Sequence, residues 1–180
     1  MSTPATLNFT VKIAVPAGTA AGSSVFDIVA LADGGYIGHQ KLTITVPASN
    51  KPPVCTNVKP NVTALWPPNH QFVPVTLSGA TDPDGDPVNI KVNGVTQDEP
   101  LNGTGDGDTA PDARASAPGS VDLRAERAGT GDGRVYRVAF TADDGKGGIC
   151  TGTAKVTVPK RQGRDGAAVG SAPVINSFGP

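Results

Sequence analysis

The sequence predicts an all-β protein of the β-sandwich type. Val, Thr and Ile recur in short alternating runs, and no stretch places apolar residues at helical spacing. The 23 glycines and 17 prolines together exceed a fifth of the 180 residues and supply frequent turns between those runs. Short alternating runs separated by turn residues are typical of sheets packed face to face.

Residues 1–47 are predicted to form an incomplete, three-strand Ig-like segment. In "LNFTVKIAV", residues 7–15, apolar side chains alternate with Asn8, Thr10, Lys12 and Ala14, as in a half-buried strand. "VFDIVALA" (25–32) and "KLTITV" (41–46) are the next two strands, separated by a turn at "DGG". Three strands make too little sheet to be stable alone, so the segment is expected to carry an unpaired edge.

A complete Ig-like β-sandwich is predicted for residues 54–159, after a Pro-rich linker at 48–53. About seven candidate strands in this range match the strand count of an Ig-like sandwich. They include "NVTALW", "FVPVTLSG", "VNIKVNGVTQ", "VDLRAER", "RVYRVAFTA" and "CTGTAKVTVP", and the first strand of the block is expected to begin at Cys55. Residues 160–180 form a tail whose apolar end, "APVINSFGP", is a candidate docking strand.

The two cysteines, Cys55 and Cys150, begin the first and last strands of this block. Such strands run side by side in a sandwich, so the pair is predicted to form a disulfide. A bridge over a loop of this size contributes roughly 4–5 kcal/mol in the chain-entropy model, and it would indicate an oxidising compartment. The alternative is two unrelated buried thiols.

Two acidic loops are candidate calcium ligands. "DPDGDP" and "DEPLNGTGDGDTAPD" are rich in Asp and Gly, and Ca²⁺ binds six to eight oxygens from carboxylates, carbonyls and waters. The loops do not follow the EF-hand pattern, so we expect an inter-strand site in which one loop faces the other. The candidate ligands are Asp82, Asp84, Asp86, Asp106, Asp108 and Asp112. The alternative is that these aspartates cap turns and keep the surface soluble.

Other function classes are weakly supported. A net charge of −1 argues against nucleic acid as the main partner, and no apolar run is long enough to insert into a membrane. Motifs of nucleophilic, zinc-dependent and phosphate-binding enzymes are missing, and adjacent Asp98 and Glu99 would point to opposite faces of a strand. We therefore expect no enzyme. Carbohydrate binding through Trp66 is a rival, although aromatic residues make up only 4% of the chain.

The block from residue 54 to 159 resembles the hyalin-repeat and polycystic-kidney-disease-repeat Ig-like families. The resemblance rests on "LWPPNH", on "TQDEPLNGTGDGDTAPD", and on an ending with Tyr136, Phe140, Asp143, Gly145, Gly147 and Cys150 before "VTV". Modules of this kind recur in secreted and surface proteins of bacteria and archaea. The resemblance implies an extracellular, non-catalytic role in adhesion, spacing or assembly, and it names no ligand.

Three hypotheses of function follow from the sequence. The chain is a structural or adhesive module, stabilised by Ca²⁺, of a cell-surface or fibrous assembly. In its sharper form, the open edge of residues 7–47 accepts a strand from another subunit, with 172–178 as the candidate donor. In its plainer form the chain belongs to a longer multi-domain protein. The alternative from another class is a carbohydrate-binding accessory module of a secreted enzyme.

Overall fold

The structure is a computed structural model that describes residues 10–33, 35–103, 105, 107–162, 166–170 and 174–179. It is all-β: strands account for 46% of the chain, and no helix among the described residues is long and apolar enough to cross a bilayer. The chain divides into two compact units, residues 1–49 and 50–180. The predicted all-β class is confirmed.

The first unit is an antiparallel hairpin of β1 (Gly22–Ala32) and β2 (Gly35–Val46), with Phe26 opposite Leu42. The two later strands predicted here are present and longer than expected. The predicted strand at 7–15 is wrong where the structure describes it, because residues 10–15 are irregular and exposed and residues 7–9 lie outside the described part. The first unit therefore has one strand fewer in the described residues than the alternation indicated.

The second unit is built from two antiparallel four-stranded sheets, consistent with a β-sandwich. One sheet has the order β10-β5-β8-β9 and the other β3-β4-β7-β6. The strands are β3 Lys59–Pro60, β4 Phe72–Ser78, β5 Asn89–Gln97, β6 Ala113–Ala115, β7 Ser120–Arg124, β8 Gly133–Asp143, β9 Ile149–Pro159 and β10 Ile175–Asn176. The core lies between the sheets, where apolar side chains from alternating positions of β4, β7, β8 and β9 are buried.

Some strands predicted for this unit from the local sequence are wrong or end earlier than predicted. "NVTALW" is not a strand, and only Ala64 makes an isolated parallel bridge, to Thr157. "VDLRAER" stops being a strand at Arg124. The short strands β3, β6 and β10 carry too few residues to show an alternation, so their pairing partners alone define them.

The disulfide between Cys55 and Cys150 is confirmed, with Cα atoms 5.9 Å apart. Cys150 lies in β9 as predicted, whereas Cys55 precedes β3 instead of opening it. The bridge therefore ties the entry of the second unit to its last long strand. It spans 95 residues, so in the chain-entropy model it contributes about 4–5 kcal/mol to stability.

The C-terminal tail docks on its own chain. Ile175 and Asn176 pair with Gln97 and Thr96 of β5, and the Ser177 amide donates to the Val95 carbonyl at 3.0 Å. The Ser177 carbonyl accepts from the amides of Asp112 and Ala113 on the other sheet at 2.9 and 2.8 Å. The expected addition of 172–178 to residues 7–47 is not what the described tail residues do, because their backbone groups are used within the second unit.

Phe178, the last apolar residue of the tail, is partly buried against the core. We expect Phe178→Ala to lower the free energy of unfolding by about 1–3 kcal/mol, less than for a fully buried ring. Val174→Ala is the matched control, because the Val174 side chain is 66% exposed and its truncation should change little. Urea unfolding followed by the fluorescence of the single tryptophan, Trp66, measures both. Equal stability of the two variants would contradict the docking.

Candidate functional site

The segment "DEPLNGTGDGDTAPD" is anchored at both ends by buried carboxylates. Asp98 and Glu99 are 4% and 7% exposed, and Asp112 is fully buried. Asp98 Oδ1 accepts from the Val135 amide at 2.8 Å, and Glu99 Oε2 accepts from the Ala128 amide at 2.8 Å. The acidic residues at the ends of this loop thus bond to the protein interior instead of facing solvent.

Arg134, on β8, is the cation at the centre of this cluster, and its side chain is fully buried. Its Nη1 donates to Asp112 Oδ2 at 2.7 Å and its Nε donates to Glu99 Oε2 at 3.2 Å. Its Nη2 lies 3.8 Å from Glu126 Oε1. One guanidinium therefore holds acidic groups from three separate segments of the chain.

Glu126 is the third buried carboxylate near Arg134, after Glu99 and Asp112, and it connects the cluster to the "LWPPNH" segment. His70 Nδ1 lies 2.9 Å from Glu126 Oε2, and the Thr109 hydroxyl donates to the same oxygen. Gly107 covers the imidazole: it has a φ of 93°, and a Cβ there would lie 2.7 Å from His70 Cε1. The glycine in this loop is thus required both by backbone conformation and by space.

Burial dominates the electrostatics of Asp112. Desolvation raises the pKa of its carboxyl from 3.8 to about 6, although Arg134 and the hydrogen bond from Gln97 oppose that shift. The Asp112 carboxyl therefore takes up a proton more readily in the folded chain than in the unfolded chain. Its contribution to stability is present below pH ~4 and is lost as the pH rises through about 6. Burial likewise raises the pKa of the Tyr136 hydroxyl, which donates to the Arg124 carbonyl at 2.9 Å.

The contacts of this cluster join separate segments of the chain to one another. Glu99, Asp112 and Glu126 are each at least nine-tenths buried, and they accept hydrogen bonds from other groups of the same chain. Four buried oxygens keep no hydrogen-bond partner: Gln97 Oε1, Glu99 Oε1, Asp112 Oδ1 and Glu126 Oε1. Two of them still lie within ion-pair distance of a guanidinium nitrogen: Asp112 Oδ1 is 3.9 Å from Arg124 Nε, and Glu126 Oε1 is 3.8 Å from Arg134 Nη2.

The other acidic loop is the better candidate metal centre. Carboxylate oxygens of Asp82, Asp84 and Asp86 lie within 4.8 Å of one another. Asp82 Oδ1 accepts from the Asp84 amide at 2.8 Å, which folds the loop back on itself. Asp82 Oδ2 and Asp86 Oδ2 are buried atoms without a hydrogen-bond partner. Together these oxygens match the ligand type that Ca²⁺ prefers.

Lysines already supply positive charge to this loop. Lys51 lies 3.3 Å from Asp84 and donates its amide to the same side chain, and that backbone hydrogen bond is the largest cause that lowers the pKa of Asp84. Lys146 pairs with Asp86, and the hydrogen bond raises the pKa of the ammonium. Part of the repulsion for which calcium was expected is thus relieved by the chain itself.

The expected meeting of the two acidic loops does not occur. "DPDGDP" precedes β5 and "DEPLNGTGDGDTAPD" follows it, so the nine residues of that strand separate the loops by about 30 Å. Asp112 is consequently paired with Arg134 and is not a ligand beside Asp82. Asp108 is exposed on the same distant loop, and Asp106 lies outside the described residues.

Trp66, the predicted ligand contact, is 41% exposed in the segment before β4. It precedes a cis peptide bond to Pro67. His70, in the same segment, contacts the buried Glu126. Comparisons with protein-family models, with curated proteins and with solved structures find no match to this chain. The resemblance to Ig-like repeat families stays a prediction.

Neither Arg134 nor Glu126 was predicted from the sequence to belong to this cluster of buried charges. One signal was present: Arg134 is in phase with Tyr136, Val138 and Phe140, which all point into the core from β8. A charged residue on the inward phase of a strand indicates a buried ion pair. Its acidic partners come from separate segments, so no local pattern identifies them.

We expect Arg134→Leu to lower the free energy of unfolding by about 3–5 kcal/mol, because Glu99, Asp112 and Glu126 would stay buried without the one cation that lies near all three. Arg114→Gln is the control: Arg114 makes an exposed ion pair with Asp122 at 2.8 Å, a type worth about 0–1 kcal/mol. Urea unfolding monitored by Trp66 fluorescence measures both variants. If Arg134→Leu does not fold, Arg134→Lys supplies the intermediate value. Similar losses for Arg134→Leu and Arg114→Gln would contradict the central role of Arg134.

We expect millimolar Ca²⁺ to raise the melting temperature relative to EDTA, because a cation would satisfy the unpartnered oxygens of Asp82 and Asp86. Asp82→Asn should abolish the rise while keeping the oxygen that caps the loop. Asp122→Asn, in β7 of the other sheet, should leave the rise intact. Differential scanning calorimetry measures the melting temperatures with calcium and with EDTA. Equal melting temperatures for the unmodified chain would refute the site.

Proposed function

We propose that this chain is a non-catalytic structural or adhesive module of an extracellular, cell-surface or fibrous assembly. The observation that supports it is the hairpin β1–β2, which carries exposed apolar residues and, among the described residues, pairs with no third strand. The second unit closes its own core, whereas no second sheet covers the hairpin within the described part of the first unit. A partner that supplies β structure to the hairpin is the natural complement.

The hairpin carries apolar residues on both faces. Val25 and Val29 are more than half exposed on one face, and Phe26 lies on the other, where residues 13–16 line the same depression as Phe26, Ile44 and Val46. Register places Phe26 opposite Leu42, and Ile44 and Val46 lie on the same face further along β2. Phe26 is 50% exposed. The opposite face is mixed, with Asp27 opposite Lys41. We call the face of Phe26, Leu42, Ile44 and Val46 the apolar hairpin face.

Strand addition by a second copy fits this hairpin better than stacking alone. Two strands of about 11 residues present roughly 350 Å² on one face, against about 800 Å² per partner in a standard interface. An added strand also pairs with the free backbone groups of β1 or β2, which supplies hydrogen bonds beyond the area. Repetition of such a contact from copy to copy produces a fibre.

The disulfide supports the extracellular part of the proposal, because structural disulfides persist in oxidising compartments. Calcium at Asp82, Asp84 and Asp86 belongs to the same proposal, as a stabiliser of the second unit.

A carbohydrate-binding module of a secreted enzyme is the second candidate. The observation that favours it is the exposure of Trp66, since stacking on an exposed indole is a common way to hold a sugar.

We expect the full chain to form concentration-dependent oligomers, measured by size-exclusion chromatography with light scattering and by electron microscopy. Phe26→Ser with Ile44→Ser should shift the chain to monomer, because the apolar hairpin face loses its apolar character. Val25→Thr, on the opposite face and 60% exposed, is the control and should assemble as the unmodified chain does. A monomer at all concentrations ends the assembly proposal.

A further inference from the structure

The outer face of the β5–β8–β9 sheet, turned away from the core, carries an unusual row of small and cationic residues. Register places Arg137 of β8 between Thr96 of β5 and Lys155 of β9. The neighbouring row on the same face holds Gly94, Ala139 and Thr153. Directly opposite like charges destabilise a sheet, so the Arg137–Lys155 pair calls for a counter-charge.

Arg137 has no such counter-charge in the part of the chain that the structure describes. Its Nη1 is a buried atom without a hydrogen-bond partner, and no described carboxylate forms an ion pair with it. The backbone of Gly170 packs against the guanidinium, since a Cβ there would lie 2.9 Å from Nη2. A desolvated guanidinium N–H without an acceptor is costly. A ligand does not reach the buried Nη1 itself, but an anion in the depression that Arg137 lines would offset the positive charge of the guanidinium.

A depression of about 310 Å³ lies beside this guanidinium. Gly94 and Ala139 leave space at its base, because glycine has no side chain and alanine has only a methyl group. Its rim carries hydroxyl and amide groups from Asn93, Thr96, Thr153 and Asn176. The volume is at the small end of ligand sites and suits a single ring with polar substituents.

We propose that this depression binds the carboxylate-bearing ring of an acidic sugar, a uronate, with Arg137 on the carboxylate and the rim residues on the hydroxyls. A guanidinium pairs with a carboxylate through two parallel hydrogen bonds. Side-chain hydroxyls and amides match the many hydroxyls of a sugar ring. An acidic peptide fits less well, because the backbone groups of β8 are already paired with β5 and β9 and offer an added strand no ladder. The site is separate from the assembly surface proposed above.

Affinity electrophoresis of the full chain in gels containing polygalacturonate tests the proposal, with neutral dextran as the blank. We expect polygalacturonate to retard the chain and dextran to leave it unaffected. Arg137→Gln should weaken the apparent affinity about tenfold or more, the loss expected for a charge-assisted hydrogen bond. Ala139→Leu, which fills the depression and keeps every charge, should weaken it as well.

Two controls separate this site from general attraction of a polyanion. Lys91→Gln removes a cation at a register position two rows away, opposite Thr141, and should bind as the unmodified chain does. The melting temperature of Arg137→Gln should equal or exceed that of the unmodified chain, because the substitution removes a buried unpartnered donor. The proposal is overturned by no retardation of the unmodified chain, by unchanged binding of Arg137→Gln, or by an equal loss in Lys91→Gln.

Discussion

The buried guanidinium of Arg134 is the constraint on which the second unit depends. It reaches the acidic loop through Asp112, the end of β5 through Glu99, and the segment after β7 through Glu126. These groups come from both sheets, so the charges fix how one end of the sandwich closes. A buried ion cluster of this kind adds little net energy over an apolar core, but it penalises any arrangement that leaves a charge alone.

The long loop between β5 and β6 is held at both ends by polar contacts. Asp98 and Glu99 are held by backbone amides after β5, and Asp112 is held by Arg134 before β6. The tail adds a further tie, because the Ser177 carbonyl accepts from the amides of Asp112 and Ala113. Polar bonds thus hold both ends of a segment that has no large apolar side chain after Leu101, although its composition alone would suggest disorder.

The two units differ in the number of sheets: within the described residues, the second unit has two sheets packed face to face and the first has one. The second unit buries Val75, Val121, Val138 and Val156 between two sheets and closes the structure with a disulfide. The hairpin has strands of similar length but leaves Phe26 half exposed. The hairpin is therefore the part of the described chain to which the proposed assembly contact is assigned.

The sequence by itself determined the all-β class, the long strands β1, β2, β4, β5, β8 and β9, and the pairing of Cys55 with Cys150. Each depends on local alternation or on a choice between only two cysteines. It also showed that the Asp82 loop concentrates oxygen ligands. Only the tertiary structure decided that Asp112 faces Arg134, that the tail pairs with β5, and that residues 10–15 form no strand. Those outcomes depend on partners distant in sequence, and a pattern along one segment carries no information about which distant group will meet it.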